Sequence, residues 1–67
     1  MTWDELTALF VAEQGTHALE TTLTGSGLTD GVTPPAEIVT RFAAEFGEHA
    51  LHYSGFGVAL QAFAAAL

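Results

Sequence analysis

The sequence predicts an all-α protein, a small helical hairpin or bundle of two to three helices from a duplicated unit of about 32 residues. The linker leaves room for a minor β-hairpin. Three observations carry this prediction. A ten-residue block occurs twice, apolar residues recur at helical spacing in three segments, and helix-starting signals precede those segments.

The repeat is the strongest of the three. Residues 10–19 read FVAEQGTHAL and residues 42–51 read FAAEFGEHAL, with seven of ten positions identical. Among the matches are Phe10/Phe42, Glu13/Glu45, Gly15/Gly47 and His17/His49. Glu5/Glu37, Leu6/Ile38, Gly25/Gly57 and Leu28/Leu60 extend the pattern. The units run from about 2–31 and 34–63, with a linker at about 24–33, inside a single domain covering 1–67.

Each unit opens as a helix. Thr2 and Glu5 form a capping-box pattern ahead of Leu6, Leu9, Phe10 and Glu13. In the second unit Thr33 is placed to cap, Pro34 to occupy the first helical position and Glu37 to lie in the first turn. Ile38, Phe42, Glu45 and Phe46 follow. Gly15 and Gly47 can end these helices or sit inside them at a cost of ~1 kcal/mol. Continuation, favoured for the second unit and left open for the first, would give helices at about 3–23 and 34–53.

The linker, centred on Gly25-Ser26-Gly27, is rich in Gly, Thr and Pro, and its Leu23, Leu28 and Val32 suit the minor hairpin. A third helix is predicted over the Ala-rich end, with Ser54 as its cap and Phe56, Leu60, Phe63 and Leu67 along one side.

Composition narrows the function. Eight carboxylates face one Lys/Arg cation, Arg41, for a net charge of −7. Phosphate binding needs Lys and Arg, so direct nucleic-acid binding is excluded, and anionic membrane surfaces are disfavoured. The uncharged run at the end holds too many Gly, Ala and polar residues for a spanning helix. MTWDEL carries acids where a signal peptide carries positive charge, and the expectation is a cytoplasmic protein. Cysteine is absent, so disulfides and zinc–thiolate sites are excluded.

Two chemistries remain. If the helices ran through the glycines, Glu13, His17 and Glu20 would share a face with Leu6 and Phe10. Glu45, His49 and His52 would share one with Ile38 and Phe42. Those six residues are the candidate metal ligands, an inventory suited to Zn, Fe or Mn in a helical bundle. The competing account makes the Glu–His pairs ordinary ion pairs at the end of an apolar stripe. No nucleophile elbow, phosphate loop or dinucleotide fingerprint is present, and no enzyme is expected.

The primary expectation is a small acidic protein-interaction module: an inhibitor, adaptor or accessory subunit. Hydrophobic residues make up 49% of a chain too short to bury them all. Trp3, Phe46, Phe56 and Phe63 are the candidate interface residues, and the acidic surface suits a basic protein partner. A homo-oligomer is expected, and a purely structural homo-oligomeric bundle is the third alternative.

Overall fold

The computed structural model describes residues 1–67 and is entirely helical, with no strand. Six helices follow in order: α1 (Trp3–Gln14), α2 (Ala18–Thr21), α3 (Leu23–Thr29), α4 (Pro35–Phe46), α5 (Ala50–Tyr53) and α6 (Gly55–Ala66). The starts of α4, α5 and α6, at Pro35, Ala50 and Gly55, follow those of α1, α2 and α3, at Trp3, Ala18 and Leu23, by one constant offset. That offset is the one separating Phe10 from Phe42 in the sequence. None of the six is long and apolar enough to cross a membrane.

The glycines decide why there are six helices and not two or three. Gly15 and Gly47 adopt φ of +91° and +93°, where a side chain is strained, and each donates its N–H to the carbonyl four residues back. Both helices therefore end, and the continuation to residue 53 expected for the second unit does not occur. After a short turn each chain segment makes one turn of helix and stops at a hydroxyl residue. Thr22 Oγ1 accepts from Gly25 N at 2.8 Å to start α3, and Ser54 Oγ accepts from Gly57 N at 2.9 Å to start α6.

Several expectations need correction. The hairpin around Gly25-Ser26-Gly27 is helix α3, because Thr22 caps it and its apolar Leu28 reaches the core. α4 starts at Pro35 with Pro34 as an uncapped N-cap, one residue later than anticipated. Thr33 does not cap it: its amide and hydroxyl go to the Asp30 carboxylate, which closes the turn between α3 and α4. The capping box at α1 is as expected, with Glu5 N to Thr2 Oγ1 at 3.2 Å and Thr2 N to Glu5 Oε1 at 2.9 Å.

The core comprises Leu6, Phe10, Leu28, Ile38, Phe42, Leu51, Phe56 and Leu60. Phe56 lies at its centre, with its ring centroid 5.1 Å from both Phe10 and Phe42 and edge-on to each. Two glycines let the short helices close over it. A Cβ on Gly25 would lie 2.3 Å from the Ala18 carbonyl oxygen, and one on Gly57 would lie 2.2 Å from that of Ala50. Any larger residue would push α3 off α2, or α6 off α5.

Candidate functional site

The glycine breaks separate the Glu–His pairs. His17 and His49 fall in the turns ahead of α2 and α5, are exposed, and make no side-chain cap. His49 stacks on Tyr53 with centroids 6.2 Å apart. Glu20 and His52 are exposed on the short helices. No three His, Asp or Glu side chains come together in a way that could hold a metal ion. The shared face that grouped Glu13, His17, Glu20, Glu45, His49 and His52 required continuous helices, and that condition fails at Gly15 and Gly47.

The two glutamates have other partners. Glu13, at the end of α1, accepts from the Ser54 hydroxyl at 2.6 Å and from Phe56 N at 3.1 Å. Glu45, at the end of α4, accepts from Leu23 N at 2.8 Å and Thr24 N at 2.7 Å, and the Thr24 hydroxyl donates to it as well. Each carboxylate thus closes the N-terminus of a helix in the other set of three, where orphan amides and the helix dipole favour negative charge. Desolvation pushes the Glu45 carboxyl up. The Thr24 hydroxyl, the Thr24 and Leu23 amides and the Arg41 charge outweigh it, holding the group below its ordinary value.

Arg41 is committed locally. Its Nη2 lies 2.9 Å from Glu37 Oε2 and its Nη1 donates to the Leu23 carbonyl at 3.1 Å. Its charge also reaches Asp30, whose carboxyl is held down to about 2, chiefly by the Thr33 hydroxyl and then by the Thr33 and Val32 amides. The single Lys/Arg cation is therefore spent inside the fold.

The interface candidates divide in two. Phe56 is fully buried and is a core residue, correcting its assignment to the surface. Phe46 is half-buried and packs on Phe10 and Phe42. Trp3 and Phe63 are brought together, edge to face with centroids 5.0 Å apart. This contact joins the start of α1 to the latter part of α6, and the Glu13 bonds join the opposite ends, so the two helices run antiparallel.

Beside that pair lies a groove of about 270 Å³ lined by Met1, Ala59, Ala62, Phe63, Ala66 and Leu67, all apolar. Met1 also lines an adjoining cleft with Glu5, Ala8 and Leu9 of α1. On the other side, Trp3 borders a notch of about 260 Å³ against Gly27, Leu28, Thr29, Gly31 and Thr33. Side-chain size singles out the aromatic residues and passes over Met1 and the alanines. Their signal was the i, i+3, i+7 spacing of Ala59, Ala62 and Ala66 in a segment with no charge.

No family model matches the chain, and no curated protein or solved structure matches it either.

Proposed function

We propose that the chain is a small acidic protein-interaction module, an inhibitor, adaptor or accessory subunit, whose docking face is the apolar groove along α6 and the start of α1. The observation that carries this is a groove lined by apolar side chains alone, open to solvent beside a half-exposed Trp3–Phe63 pair. Tryptophan at the edge of a desolvated pocket is the residue type that most often dominates binding energy. The carboxylates of Asp4 and Glu5 on the first turn of α1 supply the acidic surround.

In this proposal the fold is two copies of the repeated unit. It is supported by the shared offset of the helix starts, by the matching backbone of Gly15 and Gly47, and by the exchange of caps from Glu13 and Glu45.

Ala62→Arg tests the docking face. Ala62 is exposed on α6, Arg is a good helix former, and a cation near a helix C-terminus is tolerated, so the fold should survive. A partner that co-purifies stoichiometrically with the wild type and is lost with Ala62→Arg, at unchanged Tm, supports the face. Identical associations for the two proteins would refute it.

A further inference from the structure

We infer that the occupant of this groove is an amphipathic α-helix of about three turns that presents apolar side chains to α6 and Lys or Arg on its flanks. The inference rests on the interaction face proposed above and adds the chemistry of the partner.

Shape comes first. α1 and α6 are antiparallel and of equal length, 12 residues or about 18 Å each. The groove along α6 and the cleft along α1 share Met1 as a wall, and the two together are the furrow the partner would occupy. Large side chains, Phe63, Leu67, Met1 and Leu9, and small ones, Ala8, Ala59, Ala62 and Ala66, line it together. That relief accepts the ridge of a third helix, anchored at every third or fourth residue.

Charge then selects among helices. The furrow has no Lys or Arg side chain, and its one charged side chain is Glu5, with Asp4 in the same turn. Arg41 is held by Glu37 and the Leu23 carbonyl on α3 and α4, so no Lys or Arg side chain is free to meet a partner's carboxylate. A second copy of this chain would bring its own Asp4 and Glu5, and a further net charge of −7, against the same rim. A helix flanked by Lys or Arg meets the rim with opposite charge and is steered to it.

The experiment uses the intact chain and three synthetic helical peptides of about 14 residues, long enough for the three turns, sharing one Leu face. Their other faces carry Lys, Gln or Glu. Trp3 is the only tryptophan and borders the furrow through Phe63, so its fluorescence reports binding. The Lys peptide should bind about tenfold more tightly than the Gln peptide, weaken with added salt, and be lost with Ala62→Arg; the Glu peptide should not bind. Replacing Asp4→Asn and Glu5→Gln together should weaken the Lys peptide about fivefold and leave the Gln peptide unchanged. Gln at position 5 still completes the capping box, so α1 is retained.

Equal binding of the Lys and Gln peptides overturns the charge selection and leaves the docking face standing. So does self-association abolished by Ala62→Arg with no peptide bound, because the occupant is then a second copy. Lys-peptide binding that survives Ala62→Arg overturns the inference as general charge attraction. No peptide binding by a monomer that Ala62→Arg does not alter overturns both the inference and the face.

Discussion

The Glu13 carboxylate and the Ser54 hydroxyl meet at 2.6 Å across 41 residues of sequence, tying the end of α1 to the start of α6. Ser54 in turn accepts from Gly57 N, so one hydroxyl both caps its own helix and donates to its neighbour's carboxylate. Glu45 makes the corresponding tie to α3, through two amides and the Thr24 hydroxyl. These caps hold α3 and α6, which at 7 and 12 residues are marginal as isolated helices.

Removing them should destabilise the protein unequally. Glu45→Ala is expected to cost about 2 kcal/mol and Glu13→Ala about 1 kcal/mol. Bonds to a carboxylate exceed neutral ones, but solvent screens both sites. Urea unfolding of the two variants checks the order. Losses below about 0.5 kcal/mol for both, the range of ordinary surface substitutions, would show that the caps are ornamental.

Acid should weaken the fold in a defined window. The Glu45 and Asp30 carboxyls are both held below their ordinary values of 4.5 and 3.8, Asp30 down to about 2. For a depressed acid, the stabilisation is complete above the unfolded pKa and is lost as pH falls through the folded one. Stability from these two groups should therefore be flat from about pH 7 down to 5 and decline between roughly 4.5 and 2. Tm against pH tests this, and Glu45→Gln should remove the upper part of the decline. A Tm that falls between pH 7 and 5 would point to other groups.

The close glycines and the turn glycines should respond differently to alanine. Gly25→Ala and Gly57→Ala each place a methyl within 2.3 Å of a backbone oxygen, and are expected to cost about 3 kcal/mol, at the upper end for overpacking. Gly15→Ala and Gly47→Ala meet nothing within 4 Å and should cost about 1 kcal/mol, from backbone strain alone. D-alanine at 15 or 47 should restore or exceed wild-type stability, since it accepts positive φ and restricts the unfolded chain. Thermal melts of synthetic protein, which 67 residues allow, separate the two classes.

Chelator should change nothing. The His17 and His49 rings are exposed and gather no third ligand, so His17→Ala and His49→Ala are expected within about 0.5 kcal/mol of wild type. Melting with EDTA and with added Zn²⁺ tests this. A zinc-induced rise in Tm that is lost in both variants would restore a metal role.

Much of the core was legible. Leu6, Phe10, Ile38, Phe42 and Leu60 could be read from spacing, and Thr2–Glu5 and Ser54 from local capping chemistry, because short-range geometry fixes both. Helix α3 was not legible. Its sequence, LTGSGLT, has poor intrinsic helicity, and beyond the local Thr22 cap what holds it is tertiary: a carboxylate 22 residues away and a glycine that lets α2 approach. Spacing pairs Glu13 and Glu45 with His17 and His49, whereas the two glutamates cap α6 and α3, because periodicity cannot see a break at Gly15. The hydroxyl pair Thr22 and Ser54, each seven residues past that glycine or its counterpart, was the available clue.

The crossed caps are alike in space but not in time. When Leu23 and Thr24 emerge from the ribosome, the acid that closes their helix is 22 residues behind them in the exit tunnel, a wait of about 1–4 s at ~5–20 residues per second. Glu13, by contrast, already stands ready when Ser54 and Phe56 arrive. The nascent chain therefore carries an unfinished α3 until α4 is complete, and that interval is when its Leu28 and the aromatic rings of α1 are open to chaperones or to misassembly.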